Sequence, residues 1–299
     1  MEFSLRILSS NSSLRPDLAC EITPDGVLAA RQTGGQMVMA FAPLAADTVQ
    51  PGLSAPNFAD QAGVVVALRK ALDEVALRGK RLTLVVPDAA VRVLILDFDS
   101  LPAKAQDALP IVRFRLRKLA PFDVEDAAVS YQVMRQEKEL TRALVTVTPA
   151  AIRAEYEDAV RAAGYEPGVV LPSTLAALAA LPTGDAALVI NRNHSSLTTA
   201  IANSNELLLH RTLELSANEA SRRDDLAQAV SVAAAYFEDT LQAEPRVLYY
   251  VGAGGAEEFA RALGTEAGSV VRDLAATPAG AMSAIPKGLA AGVMGALAS

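Results

Sequence analysis

The sequence predicts an α/β protein built from two β-β-β-α-β halves that face each other across a cleft, with a small α+β subdomain inserted between them. Three observations carry this expectation. The stretch 187–264 holds three strand-like segments (187–190, 196–202 and 206–215), a long amphipathic helix (about 217–241) and a final strand (246–251) that runs into Gly252-Ala253-Gly254-Gly255 and another helix. The same order recurs at roughly 20–90. The segment between them has its own helix, two strands and a helix. Strands grouped ahead of helices exclude a simple alternating parallel sheet.

The first half opens after a short strand-like start, Phe3 to Leu8. Leu18 to Ile22 reads as a strand, and Thr23-Pro24-Asp25-Gly26 is a hairpin signal because aspartate and glycine supply turn chemistry. Val27 to Arg31 and Gln36 to Phe41 continue the meander. After a Pro- and Gly-bearing loop, Asn57 is the expected N-cap of a helix running from Phe58 to about Arg78 and ending at Gly79. Arg81 to Val86 is a strand stopped by Pro87-Asp88.

In the insertion, Val91 to Phe98 is a strand and 103–119 a helix interrupted by Pro110. Ala127 to Arg135 and Thr141 to Val147 form a hairpin. Thr148-Pro149 is expected to cap a helix that stops at Gly164. Gly168 to Leu171 and a Ser173-capped helix lead into the second half. There Ser216 and Glu219 have capping-box spacing, and Leu226, Val230, Ala233, Phe237 and Leu241 recur on one helical face. A short strand (269–272) and a last helix (286–298) close the chain. The expected units are 1–89 (first half), 90–165 (insertion), 166–284 (second half) and 285–299, a C-terminal helix packing back on the first half.

Composition narrows the function. Hydrophobic residues make up 51% of 299, enough for a sizeable core, so disorder is excluded. A net charge of −7 argues against broad nucleic-acid binding, which needs a basic footprint. The one cysteine, Cys20, allows no internal disulfide and sits in a strand as a small buried residue. No run approaches the ~18–20 apolar residues of a membrane span, and the first residues lack a signal-peptide pattern, so a cytoplasmic protein is expected.

Motif chemistry narrows it further. There is no G-x4-G-K-[ST] loop, no nucleophile elbow, and neither His194 nor His210 has metal-ligand spacing. Gly252-x-Gly254-Gly255 fails as a dinucleotide fingerprint because the third glycine position holds Glu257. Arg113-Phe114-Arg115-Leu116-Arg117-Lys118 spreads its cations around a helix axis, as a solvated face or a partner-contacting surface would.

Two facing β-β-β-α-β units describe the actin-like ATPase (ribonuclease H-like) fold, in which two hairpin turns and a glycine turn grip ATP and Mg²⁺ in the cleft. The sequence also resembles one family of that fold. Pro87-Asp88-x4-Val93, Leu101-Pro102, Ile111-Val112-Arg113-Phe114-Arg115-Leu116-Arg117-Lys118-x2-Pro121-Phe122 and Tyr131 resemble the type IV pilus assembly protein PilM family. Val170-x-Pro172-Ser173, Ala187-Leu188-Val189 and Gly252-Ala253-Gly254-Gly255 follow in the family's order. The cytoplasmic domain of the type II secretion protein GspL is similar in general fold.

The resemblance implies a cytoplasmic scaffold of a pilus or secretion assembly platform, peripheral at the inner membrane through its partner. That partner is a PilN-like bitopic membrane protein whose tail binds a groove involving the insertion. Arg113, Arg117, Phe122 and Tyr131 stand at the family-like positions for this contact. The resemblance also implies an Asp-Ile-Gly in each phosphate turn, where this chain has Glu21-Ile22-Thr23 and Ile190-Asn191-Arg192. Bulk replaces glycine where amides approach phosphate, and the second turn lacks a carboxylate for hydrated Mg²⁺. The remnant nucleotide site is Glu21, Asp25, Gly26, Ser195, Ser196, Gly252, Gly254 and Gly255. A degenerate, non-catalytic cleft is the first expectation; an active ATPase or small-molecule kinase binding Mg-ATP there is the alternative.

Overall fold

Two five-stranded sheets carry the molecule, and both have the same strand order. The structure, a computed structural model, describes residues 16–77, 79–182, 185–204, 206–264, 270–276, 281 and 284–298. The strand expected at Phe3 to Leu8 lies outside them. In the first sheet, β1 (Leu18–Thr23), β2 (Gly26–Thr33) and β3 (Gln36–Pro43) form an antiparallel meander. The chain crosses through α1 (Gln61–Val75) to β4 (Arg81–Val86), which pairs parallel to β1. Strands buried on both faces read as continuous apolar runs, and every residue of β1 is buried.

An excursion follows before the sheet is finished. β5 (Arg92–Phe98), α2 (Ala105–Leu116), β6 (Ala128–Gln136) and β7 (Thr141–Thr148) form a three-stranded sheet, ordered β5-β7-β6, with one helix. Val112 and Leu116 of α2 share its core with Leu96, Val124, Ala143, Val145 and Val147. α3 (Ala150–Ala162) then packs on α1, and β8 (Glu166–Pro172) adds parallel to β4, giving the order β3-β2-β1-β4-β8. Hydrogen bonding thus assigns α3 and β8 to the first half. The sequence division at 165 separated them because the β4–α3–β8 crossover is split by the excursion.

The second sheet repeats the scheme. After α4 (Ser173–Leu178) come β9 (Ala187–Asn193), β10 (Ser196–Asn203), β11 (Glu206–Glu214), α5 (Glu219–Leu241), β12 (Val247–Val251), α6 (Gly255–Leu263) and β13 (Val270–Asp273), ordered β11-β10-β9-β12-β13. The last helix, α7 (Ala291–Ala298), lies against α4, β1, β2 and β4 of the first half. Its Val293 and Ala296 are buried with Ala19, Leu28, Val85 and Ala176.

Several helix starts differ from the sequence expectation, some because a tertiary contact claims the expected cap and one because a neighbouring residue takes its place. Asn57 is fully buried; its side-chain amide donates to the Gly52 and Ala55 carbonyls and its oxygen accepts from Tyr156 Oη at 3.0 Å. Asp60 caps α1 instead, accepting from Gly63 N at 2.9 Å. For α5 the cap is Asn218, which accepts from the amides of Ala220 and Ser221, and Glu219 pairs with Arg223 in place of closing a capping box on Ser216. Thr148 donates to the Ala90 carbonyl, so α3 starts without a side-chain cap. Pro110 is accommodated inside α2, and α7 begins at Ala291, five residues later than expected.

Helix α7 approaches α4 so closely that a Cβ at Gly295 would stand 2.0 Å from the Ala176 carbonyl oxygen. Backbone cannot yield as a side chain would, so Gly295→Ala should cost about 1–3 kcal/mol. The check is a Tm lower by several degrees in thermal unfolding, with Gly264→Ala as a comparison on the positive-φ side, where nothing lies within 4 Å.

Candidate functional site

The ends of β1, β4, β8 and β9 converge where the two halves meet, and they bring five polar side chains out of water together. Glu21, Asp88, Ser173, Thr174 and Asn191 are each at most 4% exposed. Asn191 sits at their centre, with its amide nitrogen 3.0 Å from both Ser173 Oγ and Thr174 Oγ1. The same nitrogen also donates directly to Asp88 Oδ2 at 3.3 Å, so its two N–H groups serve three acceptors. Ser173 passes the chain on by donating to Glu21 at 2.5 Å, and Thr174 donates to Asp88 through its hydroxyl and, at 3.0 Å, through its backbone amide. The result is a two-pronged fork: one residue of the second half reaches two carboxylates of the first through the first two residues of α4.

Strand register identifies equivalent positions in the two halves. The first hairpin closes on the pair Thr23–Gly26 and the second on Asn193–Ser196, so Glu21 corresponds to Asn191 and Thr23 to Asn193. This corrects the sequence alignment, which set Ile190-Asn191-Arg192 in the second phosphate turn. Side chains alternate along a strand, and Ile190 points into the core of the second half with Leu188 and Tyr250. Asn191 is the residue that faces the cleft, a carboxamide opposite a carboxylate. Both turn positions where glycine was expected carry side chains, Thr23 and Asn193.

The remaining predicted nucleotide residues are occupied locally. Thr23 Oγ1 donates to the Gly26 carbonyl at 2.9 Å and accepts from its amide. Gly26 is required by packing, since a Cβ would stand 2.5 Å from the Ala42 carbonyl oxygen and the Phe41 ring. The Asp25 carbonyl accepts from Leu44 N at 3.1 Å. Ser196 donates to the Asn193 carbonyl, and Ser195, which is exposed, accepts from Leu215 N through its carbonyl. Gly252 donates its amide to the Gly288 carbonyl at 3.0 Å, and Gly254 and Gly255 hold φ of 88° and 73°, which favours glycine. Beside this turn lies a cavity of about 290 Å³ lined by Gly254, Gly255, Glu257, Asp273, Lys287 and Gly288. Asp273 accepts from Ala256 N at 2.7 Å.

Electrostatics set the character of the fork. No lysine or arginine pairs with Glu21 or Asp88 among the described residues. Helix α7 seals Glu21 from above: a Cβ at Gly292 would stand 2.2 Å from its carboxylate. Burial pushes Glu21 up to about 7, helped by the nearby charge of Asp88 and opposed by the Ser173 hydrogen bond. Burial also holds the His210 imidazole below its ordinary value, and its Nε2 is buried without a hydrogen bond.

Two further cavities border the insertion. One, of about 450 Å³, is a groove between Leu53–Pro56 and the start of α3, lined by Pro149, Ala151, Ile152 and Glu155. The other, of about 230 Å³, lies between β5 and β11 and is lined by Asp88, Arg92, Leu94, Ser196, His210 and Arg211. Leu53 belongs to both.

The four predicted partner-binding residues cluster elsewhere on the insertion. Arg113 donates to the carbonyls of Val124 and Glu125, and Arg117 is paired with the Glu125 carboxylate. Phe122 and Tyr131 pack on the insertion's own core. None of the four lines either groove. Sequence reasoning took Asp88 for a strand stop and Ser173 for a cap. The available signal was that both directly follow a Pro at the carboxyl end of adjacent parallel strands, where open α/β sheets place their sites.

No family model matches the chain, and no curated protein matches its sequence. Solved structures do. A chain of the PilM–PilN type IV pilus biogenesis complex is 17% identical and aligns over 95% of this chain and 98% of its own, with a TM-score of 0.73. The cytoplasmic domain of EpsL, an inner-membrane component of the type II secretion system of Vibrio cholerae, is 15% identical over 94% and 92%, with a TM-score of 0.50. The ethanolamine utilization protein EutJ from Carboxydothermus hydrogenoformans is 10% identical over 97% and 92%, with a TM-score of 0.51. These likenesses, with the duplicated sheet order, establish a PilM-like, actin-like fold.

The fork makes stability depend on pH. Folded Glu21 keeps its proton up to about pH 7, whereas an unfolded glutamate releases it near 4.5, so folding takes up a proton in that window. Stability should fall as pH rises from 4.5 to 7, by on the order of 3 kcal/mol, and level off above. Glu21→Gln should flatten this profile in denaturant titrations at pH 5 and 8. Asn191→Asp, which removes both prongs and adds a third buried carboxylate, should destabilise by more than ~2 kcal/mol and do so more at pH 8 than at pH 5.

Proposed function

We propose that this chain is a PilM-like scaffold of a type IV pilus or related secretion assembly platform, holding the cytoplasmic tail of a PilN-like inner-membrane protein, with a degenerate nucleotide site. The likeness to the PilM–PilN complex over nearly the whole of both chains supports the scaffold reading. The single observation that carries the degenerate site is the fork. Where an active cleft would direct carboxylates and open glycine amides at Mg-triphosphate, Glu21 and Asp88 are bonded to Ser173 and Thr174, and Thr23 and Asn193 fill the turn positions. These residues do not fit Mg-ATP. Glu21, Asp25, Gly26, Ser195, Ser196, Gly252, Gly254 and Gly255 are in this reading the remnants of a nucleotide site now used to join the halves.

For the tail we propose the paired grooves that meet at Leu53. Their walls offer apolar side chains from Leu53, Pro56, Pro149 and Ile152 and end on Arg92 and Arg211, a composition suited to an extended peptide held by pockets and a few hydrogen bonds. Arg113, Arg117, Phe122 and Tyr131 are the second contact proposed, on the insertion. Among the described residues no helix is long and apolar enough to cross a membrane, so in this reading the chain reaches the membrane through its partner.

Fluorescence anisotropy with a labelled tail peptide of the cognate PilN-like protein tests the assignment. Leu53→Asp should weaken binding about tenfold or more, and Arg117→Ala less than threefold, if the Leu53 grooves are the site; the reverse ranking moves the tail to α2 and β6. Thermal shift with Mg-ATP tests the cleft. A ligand at 100 times its Kd would stabilise by about 2.7 kcal/mol and raise the midpoint by several degrees, whereas this reading expects no rise.

A further inference from the structure

The basic run 113–118 divides into two halves on α2. Arg113 and Arg117 turn inward to the 124–125 loop, as described, while Ala108, Val112 and Leu116 form the buried face. Outside that buried face stand Ile111, Phe114 and Arg115, with Lys118 in the turn that follows the helix. The turn continues through Leu119, whose N–H donates to the Leu116 carbonyl at 2.9 Å. Phe114 is 65% exposed, Leu119 41% and Ile111 40%, and Phe114 is the one exposed phenylalanine among the described residues. Arg115 and Lys118 are exposed and, among the described residues, take part in no ion pair.

An aromatic standing in water between two uncompensated cations is unusual in a protein of net charge −7. Asp107 lies one turn before Ile111, so positive charge gathers at the carboxyl-terminal end. Apolar side chains flanked by exposed Lys and Arg match the boundary between phospholipid headgroups and acyl chains. The acidic whole argues against nucleic acid as the occupant of so small a basic patch.

We propose that the outer face of α2 rests on an anionic phospholipid surface, with Phe114, Ile111 and Leu119 entering the headgroup boundary and Arg115 and Lys118 on lipid phosphates. Each cation near an anionic leaflet adds only a modest attraction, so two cations and one aromatic give weak contact on their own. Tethering by a membrane partner would raise the effective concentration enough to make the contact persistent, and only this amplification rests on the function proposed above. The lipid contact then fixes which side of the insertion faces the bilayer.

The test uses the full chain carrying Leu119→Cys labelled with a polarity-sensitive fluorophore; the native Cys20 is buried and burial raises its thiol pKa, which protects it from labelling. Vesicles of phosphatidylcholine alone and of phosphatidylcholine with phosphatidylglycerol are compared at low and high salt. The expected result is a blue shift with the anionic vesicles that high salt reverses. Phe114→Ser with Lys118→Glu should lower the apparent vesicle affinity about tenfold. Equal response to both vesicle types, no response to either, or an unchanged response in the double variant overturns the proposal. Tail-peptide affinity of the same variant separates the two readings: unchanged binding in solution leaves α2 to the lipid, and lost binding assigns this face to the protein partner and overturns the lipid contact.

Discussion

One carboxamide links the two halves of this molecule where their sheets meet, beside an apolar core to which both contribute. Asn191 reaches out of the second sheet with two N–H groups and finds two hydroxyls at the start of α4, each of which hands its own proton to a carboxylate of the first sheet. Each hydroxyl can serve both ways only because its neighbours differ, donor on one side and acceptor on the other. A carboxylate at the centre would leave both prongs without donors. A cation there would satisfy the carboxylates directly and leave the hydroxyls without a role. The geometry therefore selects an amide at 191 and small hydroxylated residues at 173 and 174.

This arrangement uses the crevice of an actin-like fold as an internal joint. In an α/β architecture the carboxyl ends of the strands are where polar groups converge, because the backbone there runs out of partners and loops begin. Here the convergence is satisfied internally and covered by α7. What is left open includes the cavity beside the glycine turn, the grooves around Leu53 that border the insertion, and the outer face of α2.

Much of the fold was legible from local signals. Apolar runs bounded by Thr-Pro-Asp-Gly or Gly-Ala-Gly-Gly mark strands and turns wherever the chain is, and the order of the elements revealed the duplication. What sequence could not supply was whatever depends on a distant partner. Asn57 has a residue type that caps helices, yet it is taken by Tyr156, 99 residues away. The Ile190/Asn191 assignment turned on a shift of one residue, and one residue reverses every side chain of a strand. β8 was misplaced because its partner β4 is separated from it by the whole insertion. The members of the fork could be named individually; their meeting is a property of the tertiary fold.

The position of α7 bears on how the chain can be made. Its hydrophobic face completes the core around β1 and β2, so strands made before the second half find their cover in a helix made after it. Until that helix arrives, Ala19, Leu28 and Ala30 have no lid and Glu21 stands open to water. The first half cannot finish folding while the second is being synthesised, although domains generally fold as units in order of synthesis. Such long-range closure slows folding and prolongs the exposure of sticky strands. A nascent chain held short of α7 would therefore expose this part of the core and be a natural client for chaperones.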